Sequence, residues 1–194
     1  MKTKEKIIET ARLLFNEKGT RHVTTNHIAE QAGISPGNLY YHFRDKEDII
    51  RALFEQLTAY GVGEYQQVLQ QYPAGTQESM ERIFSMIQAF NWRYRFFKRE
   101  LTALIMNDPQ LKTRFHEVNQ MQLGMIHQSI RQAIEQGFLR QLDAKTLDLL
   151  TEEVWLVTLF WLNYLEVGGE DVNEQTMDRG TEMLRNIMKN YLSR

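Results

Sequence analysis

The chain has 194 residues, about one and a half average domains. Its 42% hydrophobic and 25% charged residues, with only 11 Gly and 3 Pro, exclude a large multidomain enzyme, a disordered chain and a loop-rich β architecture. There is no Cys, which removes disulfide scaffolds, thiolate zinc sites and cysteine nucleophiles, and a net charge of −2 announces no nucleic-acid partner, although residues 1–54 carry nine Lys and Arg against seven Asp and Glu.

In chain order, every segment between breakers has helical length and none alternates with period two, so the fold class is all-α. MKTKEKIIETARLLF mixes charges with apolar residues and is no signal peptide. A first helix starts after Thr3 and ends at Gly19, with Ile7, Ile8, Ala11, Leu14 and Phe15 on one face. A short second helix runs from Thr24 to Gly33, and a third begins at Ser35 with Pro36 in its first position and ends near Phe43. Asp45, followed by Asp48, caps a long fourth helix whose inward residues include Ile49, Ile50, Leu53, Phe54 and Leu57. Tyr72-Pro73-Ala74-Gly75 is a break. The next helix turns Met80, Ile83, Phe84, Ile87 and Phe90 inward, and an aromatic and basic segment follows from Asn91 to Arg99. Asp108-Pro109 opens a helix that reaches Gly137, and two last helices fit 143–167 and 173–192, giving about nine in all. The most apolar stretch, Val154 to Leu165, has twelve residues against roughly 20 needed to cross a bilayer. The expectation is a cytoplasmic protein with no membrane partner.

Residues 24–43, TTNHIAEQAGISPGNLYYHF, have the anatomy of a helix-turn-helix. Ala29 is small where two helices cross, Gly33 supplies the positive φ of a tight turn, and Ile28, Ile34 and Leu39 are spaced to meet behind the crossing. That leaves Pro36, Gly37 and Asn38 outward at the amino end of the second helix, as a recognition helix in a major groove requires. Tyr40, Tyr41 and His42 form a row of hydroxyl and imidazole groups suited to phosphates, and Lys46 adds a charge beside a helix amino terminus.

With TTNHIAEQAGIS and LYYHFRDKEDII, the stretch from Ile7 to about Ile50 resembles the DNA-binding domain of the tetracycline-repressor (TetR/AcrR) family of bacterial regulators. The resemblance implies an amino-terminal three-helix DNA-binding domain, residues 1–46, and a helical effector-binding and dimerisation domain, residues 47–194. Carried over position by position, it places Thr25 on phosphate and Asn26 at a base edge. Ser35, Pro36, Gly37 and Asn38 take the base-reading end of the recognition helix, while Tyr40, His42 and Lys46 grip the backbone and Tyr41 meets base or phosphate. Tyr40 has a second reading, packing on the first helix. Gly37 presents no side chain where relatives present one, which leaves Asn26 and Asn38, both able to pair bidentately with adenine, to carry more of the specificity.

For the remaining chain the family implies a homodimer and a small-molecule effector. The segment VWLVTLFWLNYL is apolar on every side, so both its faces need cover. The dimer-interface candidates are Leu156, Phe160 and Tyr164 with the last helix's Met177, Gly180, Met183, Leu184, Ile187, Met188 and Tyr191. The other reading of that stripe is closure of the protomer's own core. The effector-site candidates are Trp92, Arg93, Phe97, Phe115, Met121, Gln122, Met125, Gln128, Trp155, Leu159 and Asn163, an aromatic and methionine-rich set with a few polar anchors, each of which also suits plain core packing. Asn163 orients a ligand or bonds across the dimer. His116 and His127 lack a third ligand, so no metal is expected, and no cofactor or catalytic residue is. The function expected is a DNA-binding regulator, specifically a repressor that binds a palindromic operator and is released by an apolar effector. The alternatives are a constitutive DNA-binding dimer and an all-α enzyme; for the enzyme no nucleophile or phosphate-loop motif is present.

Overall fold

The computed structural model describes residues 2–193. Among the described residues nine α-helices form, with one 3-10 turn at Thr20–His22 and no strand, as the all-α expectation required. They are α1 (Thr3–Lys18), α2 (Thr25–Gln31), α3 (Pro36–His42), α4 (Lys46–Gln71), α5 (Gln77–Arg93), α6 (Arg95–Asn107), α7 (Pro109–Glu135), α8 (Ala144–Val167) and α9 (Glu174–Lys189). None is long and apolar enough to cross a membrane.

Local chemistry sets the starts. Thr24 Oγ1 accepts from His27 N–H at 3.2 Å, Ser35 Oγ from Asn38 N–H at 3.2 Å and Asp45 Oδ1 from Asp48 N–H at 2.7 Å, each satisfying an amide that the first helical turn leaves without a partner. Asp143 and Asn173 do the same for α8 and α9, with carboxylate and amide oxygens accepting from Thr146 and Thr176 at 2.9 and 3.0 Å. Where the sequence reading has an aromatic connector from Asn91 to Arg99, helix continues on both sides of a single interruption. Tyr94 leaves helical geometry at ψ 34, and α6 starts at Arg95. The last helix stops at Lys189, short of Leu192, because Arg140 N–H and Ser193 N–H donate to Tyr191 and Phe138 carbonyls and draw the end of the chain into an extended pairing.

The described residues form two compact units. One holds the chain up to Tyr60 together with Tyr94–Thr113, the other Gly61–Arg93 with the chain from Arg114 onward. The division does not fall at residue 46. Ile49, Ile50, Leu53 and Phe54 of α4 are buried with Ile7, Ala11 and Phe15 of α1, and α6 adds Phe96 and Phe97. Ring pairs join them, Phe15 to Phe96 at 5.5 Å and Phe54 stacked on Phe97 at 5.1 Å. Asn16 Oδ1 accepts the Phe96 amide at 3.0 Å, which satisfies the start of α6 from α1.

In the second unit α9 packs against α8 and α5. Met80, Phe84, Leu150, Val154, Leu184 and Met188 belong to its larger apolar cluster, and Trp161, Leu165 and Met177 to a smaller one. The inward face of α5 is rotated from the one read in the sequence: Met80, Phe84, Gln88 and Asn91 are buried, while Ile83, Ile87 and Phe90 are half-buried. Gly75, at φ 79, lies so close to α7 that a Cβ there would stand 2.4 Å from the Gln132 carbonyl, and only glycine fits.

Candidate nucleic-acid interface

The turn between α2 and α3 is built as its sequence dictates. Gly33 takes φ 63, Ile34 N–H donates to Ala29 O at 3.0 Å, and Ile28, Ala29 and Leu39 are buried behind the crossing, with Ile34 half-buried. Fixing that crossing leaves Asn26, Ser35, Pro36, Gly37, Asn38, Tyr40 and Tyr41 exposed together, with Thr25 and His42 half-buried beside them. Tyr41 is 84% exposed, a large aromatic surface that nothing in the fold covers. The hydroxyls of Thr25 and Tyr40 lie 3.0 Å apart, so two residues read as phosphate ligands form one polar edge across the two helices. A Cβ on Gly37 would meet nothing closer than Ser35 Oγ at 4.0 Å, so the fold itself does not require glycine there.

Lys46 opens α4, beside its amino terminus, and also makes an inward contact. Its ammonium donates to the Thr20 carbonyl at 2.7 Å, which turns one of its three donors inward as a tie within the unit. The same Thr20 donates through its amide to Glu100 of α6 at 2.8 Å and through its hydroxyl to the other Glu100 oxygen. Arg51 donates to Asp108 Oδ2 at 2.6 Å, and Asp108 Oδ1 accepts from the Gln110 and Leu111 amides at 3.0 Å, capping α7. Hydrogen bonds from Arg44 and Arg51 hold the Asp48 carboxyl well below the usual carboxylate range. The long-range pairings are absent from the sequence reading because Thr20 and Glu100 stand 80 apart, and Arg51 and Asp108 57 apart, with no local pattern to join them.

The effector-site candidates come from both units. Phe97 is buried in the first unit, stacked on Phe54. The others lie in the second unit. Trp155 and Leu159 are buried on α8, Trp155 donating to Asn119 Oδ1 at 2.9 Å. Trp92, Arg93, Phe115, Gln122, Met125 and Asn163 are half-buried. Met121 and Gln128 face solvent rather than an enclosed lining, on the side of α7 opposite the buried Ile130. His127 lies 3.6 Å from Asp148.

Comparison with known proteins decides the family. A family model described as a bacterial transcriptional repressor matches residues 62–194, and a second, described as bacterial regulatory proteins of the tetR family, matches residues 7–53. The crystal structure of a TetR-family transcriptional regulator from Marinobacter aquaeolei is 32% identical, with 100% of this chain and 92% of that chain covered at a TM-score of 0.87. The chain belongs to the TetR family. The transcriptional repressor KstR2 of Mycobacterium tuberculosis is 25% identical over 163 residues, 80% of this chain and 78% of that protein. Its namesake in Mycolicibacterium smegmatis matches over 66 residues, at 32% identity and 32% of its length. A SmeT–triclosan complex, 18% identical with 100% of this chain and 93% of that chain covered, has the same fold at a TM-score of 0.68. As a TetR-family protein this is a DNA-binding transcriptional regulator and not an enzyme.

The TetR-family chain also carries an uncovered apolar face. α8 buries Leu150, Val154, Trp161, Leu162 and Leu165 on one side and leaves Leu149, Leu156, Phe160, Tyr164 and Val167 exposed on another, Val167 at 90%. Met183 of α9 is exposed as well, while Ile187 and Tyr191 are half-buried and line, with Leu156 and Val157, a shallow groove beside this face. Met177, Gly180, Leu184 and Met188 are buried inside the unit, so the stripe read as a dimer surface is divided: these four close the protomer's own core.

Proposed function

We propose that this TetR-family regulator is a ligand-responsive repressor that binds a palindromic operator as a homodimer and is released by a small apolar effector, acting in the cytoplasm. The observation that carries the reading is the exposed edge of α3, Pro36, Gly37 and Asn38 with Tyr40 and Tyr41, held outward by the buried crossing behind it. On this reading residues 1–46 read DNA and residues 47–194 hold the effector and the partner subunit. Asn26 and Asn38 read bases, and Thr25, Ser35, Tyr40, Tyr41, His42 and the remaining donors of Lys46 hold phosphates and backbone. The apolar face of α8 supports a two-fold pairing, which sets two recognition helices on successive major grooves. An effector acts by binding more tightly to the form that does not fit the operator, shifting the population away from DNA. The half-buried aromatic and methionine residues of the second unit support an apolar ligand, and the SmeT neighbour is a complex with triclosan.

Operator selection from random DNA tests the reading. The expected product is a palindrome, with Asn38→Ala weakening its binding by about 1–3 kcal/mol and relaxing one symmetric position. Selection without a consensus, or binding indifferent to Asn38, would overturn it.

A further inference from the structure

Three neutral polar side chains of α5 and α9 are buried with polar atoms that have no hydrogen-bond partner among the described residues. Gln88 of α5 is 3% exposed, with neither its amide nitrogen nor its oxygen bonded; Asn91, one turn on, is 1% exposed with Oδ1 unbonded; and Thr181 of α9 is 3% exposed with Oγ1 unbonded. They share one region. Gln88 and Asn91 occupy one face of α5 at a spacing of three. Asn91 Nδ2 donates to the Thr158 carbonyl of α8 at 3.0 Å. A Cβ on Gly180, the residue before Thr181, would stand 2.7 Å from Gln88 Nε2 and 2.7 Å from Trp161 Cδ1 of α8. Gly180 thus lets α9 come close enough to seal the three groups.

An unsatisfied buried polar group costs about 1–3 kcal/mol, and native proteins hold few of them. Leucine or valine in these places would fill the seam without that cost, so packing does not account for the choice. The Asn91 bond to Thr158 fixes the amide's orientation and presents Oδ1, an acceptor, to the seam, so whatever satisfies it must donate. Gln88 offers donors and an acceptor, and Thr181 one of each. None of the three is charged, and the nearby guanidinium of Arg179, which lies over the Trp161 ring at 5.7 Å, is already paired with Glu170, so the three groups themselves favour a neutral partner over a carboxylate.

We infer that Gln88, Asn91 and Thr181 form the polar recognition end of a ligand site, closed in this structure, that opens by parting α5 from α9 and takes a neutral apolar molecule bearing a hydroxyl group. The inference rests on the ligand-responsive reading and gives its effector a chemical class.

The test uses the full-length protein and matched probes: 4-pentylphenol, 1-octanol and 2-naphthol, each beside its methyl ether, with 4-pentylbenzoate as the anion. Binding is read by calorimetry and by tryptophan fluorescence, to which Trp161 at the seam contributes. Each alcohol is expected to bind about tenfold or more tightly than its ether, the worth of a donated bond to an otherwise unsatisfied acceptor, and the benzoate less tightly than the phenol. Gln88→Leu and Thr181→Val are expected to raise the melting temperature of the ligand-free protein, with helical content unchanged, and to erase the preference for alcohol over ether. Equal binding of alcohols and ethers, binding of none, or a fall in melting temperature in both variants would overturn the site, as would a crystal grown with 4-pentylphenol that holds only ordered water at Gln88. Operator binding is measured separately. An alcohol that binds at this seam and leaves operator affinity unchanged supports the site while removing the ligand-release reading. Operator release by compounds whose binding ignores all three residues does the reverse.

Discussion

Asp48 accepts from two guanidinium groups, Arg44 at 3.0 Å and Arg51, on the first turn of α4. Its carboxyl pKa is lowered, so the stabilisation is fully present above the ordinary aspartate range near about 4 and is lost as pH falls below it. Asp48→Asn is expected to melt at lower temperature than wild type at pH 7, and the gap should close as the pH is taken down toward about 2; a gap constant with pH would show that the ion pairs do not hold the turn. Lys98 of α6 works in the opposite range. Burial pushes its ammonium down to about 8, so between there and the ordinary lysine value near about 10.4 the unfolded chain holds a proton that the folded one has lost. Stability is therefore expected to rise with pH across that window, and thermal melts of Lys98→Met should lack that rise. Asp48 draws its partners from within four residues, whereas the burial of Lys98 comes from the tertiary fold. The helix-turn-helix was legible because its chemistry is local: Gly33, Ala29 and Asn38 carry their meaning within a few residues.

Among the elements, α8 behaves differently on its two sides. Its buried side meets α5 and α9, and its other side leaves Leu156, Phe160 and Tyr164 to water, at exposures no protomer gains from. Phe160→Glu places a charge in the middle of that stripe without touching the protomer core. Sedimentation is expected to report a monomer with unchanged helical content and a large loss of operator affinity; a dimer of wild-type stability would place the interface elsewhere. The apolar run of α8 was legible as a helix needing two covered faces, yet the division of α9 was not. A stripe at helical spacing reads the same whether it meets the protomer's own α5 or a second copy, and only the positions of Met177, Leu184 and Met188 in the core separate the two. The inward face of α5 escaped for a related reason. Gln88 and Asn91 look like solvated residues in a pattern search, which assigns the inside to Ile87 and Phe90, although Phe84, Gln88 and Asn91 follow helical spacing equally well.

At the scale of the whole molecule, charge and connectivity both shape DNA binding. The net charge is −2 and the amino-terminal 54 residues are only mildly basic, so affinity must draw on helix-terminal amides, hydroxyls and a few cations, one of which, Lys46, is already partly spent on Thr20. The logarithm of the operator affinity against that of salt is expected to imply fewer than about ten released counterions per dimer, and a steeper slope would mean an electrostatic surface not located on α2 and α3. The proposed effector residues were the least legible part, since Trp92, Phe115 and Trp155 come from three helices and no window of sequence groups them. The first unit is assembled from two stretches of chain, with Tyr94–Thr113 supplying Phe96, Phe97, the partner of Thr20 and the partner of Arg51. A designer grafting this operator specificity onto another regulator therefore has no single splice point. A cut at residue 46 would strip Phe15 and Asn16 of the partners that α6 provides, whereas transplanting the exposed surfaces of α2 and α3 alone, Thr25 and Asn26 with Ser35 to His42, moves the proposed reading edge and leaves the host's scaffold intact.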